Sequence, residues 1–428
     1  MRHWQELNQA SASAASAAGQ LTVHGHCAPG FEAVGEAFRL NLAERGDVGA
    51  SVAITWRGES VVDLWGGVAD PKTGRPWQKD TVCMVWSSTK GAVALCAHML
   101  ADRGELDLDA PVARYWPQFA QSGKQNVTVA MLLSHQSGLP ALREEIPEFG
   151  LCDWEAVNSA LAAQRPYWQP GTQHGYHALT FGHLVGEVVR RISGLSLGTF
   201  FQREVAAALG LDFWIGLPEE HEGRVAPILP PPPPSVEAPL SPFIRLAMSD
   251  KESIAHHMLM HSGTFVVPGA SDQRAYHAAE IPAANGITNA RSLAAMYRPL
   301  ALDGAFNGVR LVSTAQRDAM GSVVSAGIDA MMQIPTRFAL GYVKSMNNQR
   351  RVAGERDSIL MSEDAFGHTG AGGSLGFADP RAKLSFAYVM NQQASGIGLG
   401  ARGQALVDAA YESIGYHAPK QGAFWRPA

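Results

Sequence analysis

Phe31, Val34, Phe38 and Leu42 recur three or four residues apart after Pro29-Gly30. That is the period of one helix face behind a start signal. The pattern then changes to alternation. Ser51 to Trp56 (SVAITW) and Ser60 to Trp65 (SVVDLW), separated by Arg57-Gly58, read as a hairpin. Gly91 to Leu100 (GAVALCAHML) is apolar nearly all round, so it predicts a buried helix. A helical region broken by Pro and Gly follows to about Ala294, with a periodic run from Tyr176 through Leu184, Val188 and Ile192. Strand texture returns at Phe338 to Val343 (FALGYV). It continues at Ser374 to Ala378 and Leu384 to Met390, two runs joined by the turn Asp379-Pro380-Arg381. Arg402 to Ser413 reads as a closing helix.

Strands at both ends with helices between imply an α+β fold: one antiparallel sheet built from both termini, flanked by helices, with an inserted mostly helical domain. The expected division is 1–86 and 295–428 for the sheet domain and 87–294 for the helical one. Within the latter, Pro227 to Pro239 holds five consecutive prolines, Pro230 to Pro234, which read as polyproline II or exposed loop. The Met-, His- and Pro-rich stretch up to Pro282 reads as an excursion near an entrance, so the whole excursion spans about 227–282.

Composition narrows the function classes. The 428 residues are 46% hydrophobic and 17% charged, an ordinary globular balance. A net charge of −5 without a dense Lys/Arg run favours neither nucleic acid nor an anionic membrane surface. No apolar stretch is long enough to span a bilayer. The Ala/Ser run from Ala10 to Ala18 is too weakly apolar for a signal peptide and reads as a flexible lead-in. Four widely spaced cysteines read as free thiols in a reducing compartment, so the default location is the cytoplasm. Nothing specifies an oligomeric state.

Three constellations carry chemistry. Ser87-Ser88-Thr89-Lys90 opens the buried helix, and a serine and lysine at i and i+3 share a helix face. Desolvation of Lys90 would lower its pKa and favour an alkoxide at Ser87. Of eight lysines, Lys90 alone has a serine three residues before it. Ser88 is the rival nucleophile. The second set is Trp168-Gln169-Pro170-Gly171 followed by Tyr176-His177-Ala178. A tyrosine beside Lys90 could exist partly as phenolate and serve as general base, then acid; the alternative is a loop anchor. In the third, His368-Thr369-Gly370-Ala371-Gly372-Gly373, the glycines allow close backbone approach, and an edge strand there could aim an N–H at an oxyanion. A plain flexible loop is the alternative.

Together these motifs resemble the family VIII carboxylesterases, which share the fold of class C β-lactamases and penicillin-binding proteins. Val127 to Pro140 (VTVAMLLSHQSGLP), Ile281 to Tyr297 and Phe366 to Pro380 (FGHTGAGGSLGFADP) match family segments in order and spacing. The resemblance implies Ser87 as acylated nucleophile, Lys90 as holder of its proton and Tyr176 as general base. It also implies an oxyanion hole from the N–H groups of Ser87 and Ala371. His368, Thr369 and Gly370 stand where β-lactamases carry Lys-Thr-Gly, and Ala178 stands where they carry Asn. Both departures favour ester over lactam cleavage. Trp86, Trp168 and the Met/Pro-rich region are expected to shape an apolar pocket, so Trp168, His368, Thr369 and Gly370 are expected substrate contacts. The partner is a small carboxylic ester, short to medium in chain length, with no cofactor and no metal.

Competing readings are acyl transfer to an alcohol, weak β-lactam or D-amino-acid peptide cleavage, and a non-catalytic binding relic. Gly194-Leu195-Ser196-Leu197-Gly198 fits the GxSxG nucleophile elbow, but a helical run precedes it where an elbow needs a strand. Ser196 is read instead as a helix start after a Gly194 cap. His256, His257 and His261 offer a histidine pair at helical spacing without the glutamate of a zinc motif. His135 is read as a structural hydrogen-bonding residue.

Overall fold

In the computed structural model, which describes residues 22–233, 239–396, 398–418 and 424–428, both chain ends build one sheet. Its strands and framing helices are β1 (Val23–Cys27), α1 (Glu32–Ala43), β2 (Gly49–Trp56), β3 (Glu59–Asp70), α2 (Lys90–Asp102), α3 (Thr180–Ser193), α4 (Ala290–Ala301), β4 (Phe366–Thr369), β5 (Leu375–Asp379), β6 (Leu384–Met390) and α5 (Gly400–Ser413). The sheet runs β1-β3-β2-β6-β5-β4, each neighbouring pair antiparallel. The two hairpins read from the sequence therefore meet at the β2–β6 pair, and β4 ends the order as an edge strand. The Ala/Ser lead-in and Pro234 lie outside the described residues.

β2 and β6 are buried along almost their whole length, so their alternation is one of size, not exposure. Val52, Ile54, Phe386 and Tyr388 pack with Phe38 of α1 and Leu406 of α5. The intervening Ala53 and Ala387 share the second core with Leu293 and Tyr297 of α4. Strands presenting small residues let α4 lie close across β2, β5 and β6.

The inserted lobe is closed at its neck. Val82–Met84, just before Ser87, pairs with Ile287–Thr288, just before α4, in a short four-stranded sheet with Phe213–Trp214 and Val225–Ala226. α4 runs across the 294/295 boundary expected from sequence, because its apolar face continues over the main sheet. α2 is buried from Lys90 to Leu100, as its all-round apolar character predicts.

FALGYV is not a strand. Pro335–Phe338 pairs with Ser325–Ile328, after which Gly341 adopts φ +90°. The Ala339 N–H then donates to the Tyr342 carbonyl at 2.8 Å, closing a turn. The positive φ at Gly341 turns the chain where the apolar pattern alone would extend it.

A buried ion pair ties the sheet to the loop after β4. Arg402 of α5 reaches Asp47 at 2.6 Å, and the Tyr388 hydroxyl donates to both oxygens of Asp47 at 2.7 Å. The second Arg402 amino group donates to the Gln392 carbonyl at 2.8 Å and the Gly372 carbonyl at 3.4 Å. Removing one partner strands the other charge. Arg402→Leu is expected to destabilise the fold by about 3 kcal/mol, read from the midpoint of chemical denaturation. An unchanged midpoint would show that the pair contributes nothing.

Candidate active site

The Ser87-Ser88-Thr89-Lys90 turn is a short 3₁₀ helix, Trp86–Thr89, that feeds α2. Each residue of it has a separate task. Ser88 is fully buried, donates to the His368 carbonyl at 3.1 Å and meets the Ser374 hydroxyl at 3.1 Å. Thr89 donates to the Trp86 carbonyl at 2.5 Å and accepts the Gly286 N–H at 2.9 Å. These bonds fasten the turn to β4 on one side and to the lobe's neck on the other. Ser87 is left to face the cavity, and Ser88 is excluded as its rival. Trp86 sits at φ +47°, a left-handed conformation rare for a bulky residue.

Lys90 is fully buried, and its Nζ lies 3.0 Å from Ser87 Oγ, 2.7 Å from the Ala178 carbonyl and 2.8 Å from the Ala283 carbonyl. Burial holds its pKa well below the ordinary lysine value. Nζ also lies 4.8 Å from the centre of the Tyr176 ring. The Tyr176 hydroxyl interacts with Ser87, which lowers its pKa, but burial is the larger influence and Asp329 adds to it, so the phenol is raised above its usual value. Thus serine, amine and phenol converge as the sequence expected.

His135, at φ +62°, accepts the His177 N–H at Nδ1 (3.1 Å), and its ring lies 5.0 Å from that of Tyr176. It supports the Tyr176 turn, in keeping with its reading as a structural residue. His368 is buried and donates from Nδ1 to the Thr369 carbonyl at 2.7 Å. Burial first, then the nearby Lys90, pushes its pKa down to about 3, so the ring is neutral.

Ala371 follows edge strand β4, and neither its N–H nor that of Ser87 donates to a protein acceptor among the described residues. The turn between them and β5 is tight. Gly370 donates to the Ser374 carbonyl at 2.7 Å, and a Cβ on Gly370 would fall 2.2 Å from the Val85 carbonyl oxygen and 2.2 Å from Ser374 Oγ. The glycine therefore permits the approach that sets the Ala371 N–H beside the serine turn.

A cavity of about 280 Å³ opens over these groups. Ser87, Tyr176, Ala178, His368, Thr369, Gly370 and Ala371 line it at one end. Trp86, Phe243, Met258, Met331, Met332, Phe338 and Met346 supply apolar walls. Phe243 and Met258 come from the excursion at 227–282, which does border the entrance. Among the described residues no Asp or Glu lines the cavity, and the one arginine that does, Arg337, is engaged by Glu363 at 2.7 Å.

Trp168 does not line it. That ring lies behind the turn, 6.2 Å from His177, where a Cβ on Gly175 would meet it at 2.8 Å. The chain folds back there, with the Tyr167 N–H on the Gly138 carbonyl at 2.8 Å, and turns the indole inward. Residues that the motifs did not mark are Met331, Met332, Met346 and Asp329; the first three carry no signal beyond apolarity.

The decoys resolve into scaffolding. Gly194, at φ +73°, caps α3, and Ser196 caps the next helix while its hydroxyl bonds Glu280 at 2.5 Å. His257 Nδ1 meets the Tyr167 hydroxyl at 2.6 Å and its ring stacks on His261. Among the described residues no group of three or more His, Cys, Asp or Glu side chains is placed to hold a metal, and no helix is long and apolar enough to cross a membrane.

A serine at the head of a buried helix, a desolvated lysine one turn on and a phenol from the inserted lobe define a serine hydrolase of the SxxK type. The chain belongs to the β-lactamase family: the profile described as Beta-lactamase matches residues 36–410. It is 35% identical over 380 residues to the esterase/beta-lactamase LipL of Mycobacterium tuberculosis, covering 86% of this chain and 83% of that protein. A crystal structure of a family VIII carboxylesterase superposes with a TM-score of 0.81 at 38% identity, covering 92% of this chain and 100% of that one. EstA from Arthrobacter nitroguajacolicus Rue61a superposes at 0.76 with 33% identity, covering 91% and 98%. The resemblance read from the motifs and the α+β fold inferred from the strand pattern are both borne out.

Gly370→Ala is expected to displace the Ala371 N–H and slow labelling of Ser87 by a fluorophosphonate about tenfold or more, while Ser88→Ala still labels. Equal labelling rates in Gly370→Ala and the parent protein would remove Ala371 from the oxyanion hole.

Proposed function

We infer that the protein is a serine carboxylesterase that cleaves short- to medium-chain esters through an acyl-enzyme on Ser87. The observation that carries this reading is the bonding of Lys90. The Ala178 and Ala283 carbonyls accept two of its N–H groups, and its third position points at Ser87 Oγ at 3.0 Å, where the lone pair of the neutral amine would take the serine proton. The lowered pKa of Lys90 and the raised pKa of Tyr176 act in opposite directions. They favour Lys90 over Tyr176 as the base in acylation, the reverse of the role implied by the resemblance.

In the proposed cycle Ser87 Oγ attacks the ester carbonyl and its proton passes to Lys90. The N–H groups of Ser87 and Ala371 hold the oxyanion. Collapse breaks the bond to the alcohol, whose alkoxide takes a proton from the Tyr176 phenol. Lys90 restores the phenol's proton. Water then attacks the acyl-enzyme by the reverse route, giving the carboxylic acid and free Ser87.

The largely apolar cavity, whose lining arginine is paired with Glu363, supports neutral esters as substrates. A neutral His368 and an Arg337 already engaged by Glu363 offer no free cation to a lactam carboxylate. Acyl transfer to an alcohol uses the same machinery and is the second reading. The four unpaired cysteines agree with a reducing, cytoplasmic setting.

Short p-nitrophenyl esters should turn over readily and a chromogenic cephalosporin slowly, with both rates abolished in Ser87→Ala. Preference for the cephalosporin would overturn the assignment. The acylation rate should fall as the pH drops through the lowered pKa of Lys90, because protonation removes the lone pair, and it should level off above it. A rate that instead climbs steadily toward alkaline pH would return the base role to Tyr176.

A further inference from the structure

One buried carboxylate, outside every motif, clasps the backbone of Tyr176 to the pocket wall. Asp329 is fully buried, and among the described residues no ion pair joins it to a basic side chain. The Tyr176 backbone N–H donates to both of its oxygens, at 3.0 Å each. The N–H groups of Met331 and Met332 donate to Oδ1 at 2.9 and 2.8 Å. The Thr336 hydroxyl donates to Oδ2 at 3.1 Å, so its oxygen accepts from His174 Nε2 at 2.9 Å. A main-chain bond runs alongside, from the Ala330 N–H to the His174 carbonyl at 3.0 Å. Gly175 fits between the two strands of this clasp, where a Cβ would lie 3.2 Å from Ala330 Cβ.

Few single groups join so much of a site. Tyr176 belongs to the inserted lobe, whereas 329–336 belongs to the C-terminal part of the chain, and Met331, Met332 and Thr336 line the cavity. The acceptors of one carboxylate thus set the phenol and the apolar wall in a common register. Four donor groups offset the desolvation of the charge; a neutral side chain of the same shape could accept only some of them.

We propose that Asp329 is a positioning residue for the reaction: it acts through Tyr176, holding the phenol against Ser87 and fixing the Met331–Met332 wall relative to it. This rests on the role given to Tyr176 above and on the bond of its hydroxyl to Ser87, which orients the nucleophile for attack on ester and fluorophosphonate alike. A placement error of an ångström at a reacting group costs up to about a hundredfold in rate, so the expected loss on breaking the clasp is large.

A double-mutant cycle tests it, with the second-order rate of Ser87 labelling by a small fluorophosphonate and the kcat and KM for p-nitrophenyl butyrate as readouts. Asp329→Asn is expected to slow labelling about tenfold or more and to lower kcat with little change in KM. In a Tyr176→Phe background the same substitution should cost less than about twofold. Thr336→Val, which removes one donor and leaves the carboxylate, should give a smaller loss with the same dependence on Tyr176, and it carries the cycle should Asp329→Asn not fold. Equal losses in the two backgrounds, or no loss in either, would overturn the proposal. A parent protein that labels at Ser87 but turns over no short ester would sink the esterase reading, and the labelling cycle would still decide the clasp.

Discussion

The burial of the Lys90 amine between two carbonyls is the constraint on which the site depends. An ammonium in a fully enclosed position is costly, and a neutral amine there still needs partners for its two N–H groups. The Ala178 and Ala283 carbonyls satisfy that need at 2.7 and 2.8 Å. They come from segments over a hundred residues apart, so the amine draws together the Tyr176 turn and the neck of the inserted lobe. A helix that carried its lysine on an exposed face would lose both the depressed pKa and this convergence.

The sheet supplies the other half of the site through the size alternation of its strands. Small residues on the α4 side let that helix settle close, and the hydrophobic bulk on the opposite side buries α1 and α5. α5 then places Arg402 under the Gly372 and Gln392 carbonyls. The segment proposed to hold the oxyanion is thus held from below by an ion pair in the sheet domain and from the side by Ser88 and Ser374. The serine turn and the Ala371 loop approach each other because Gly370 has no side chain.

The elements that were legible in the sequence are those whose information is local. Ser87 and Lys90 are three residues apart, so their meeting follows from helix geometry alone. The hairpins around Arg57-Gly58 and Asp379-Pro380-Arg381 follow from alternation and turn residues. Tyr176 could be placed only through the order and spacing of several motifs taken together. Asp329 was not legible, because a lone aspartate in an apolar stretch has no local signature and its donors come from Tyr176 and from its own turn. Trp168 was misplaced for a related reason: an aromatic beside a Pro-Gly turn reads alike whether it faces the cavity or the scaffold. FALGYV was read as strand because the φ of Gly341 is a tertiary outcome, imposed where its N–H meets the Leu133 carbonyl at 2.9 Å.

The two departures at Ala178 and His368 have a common physical meaning. At 178 the useful group is the backbone carbonyl, which any residue supplies, so an alanine side chain leaves the amine's bonding intact and adds apolar wall. At 368 the ring is neutral and turns its Nδ1 to its neighbour's carbonyl, so no charge is presented to the cavity. In the proposed reading the acyl-transfer machinery rests on backbone groups and on Ser87, Lys90 and Tyr176, while uncharged side chains stand where an anionic lactam would be recognised. On that proposal selectivity would pass to shape and apolar contact with Met258, Met331, Met332 and Met346, whose flexible thioethers can fit acyl groups of varied outline. A site built in this way discriminates weakly between neighbouring chain lengths and strongly against charge, since an added methylene costs little and an unpaired anion in an apolar cavity costs a great deal.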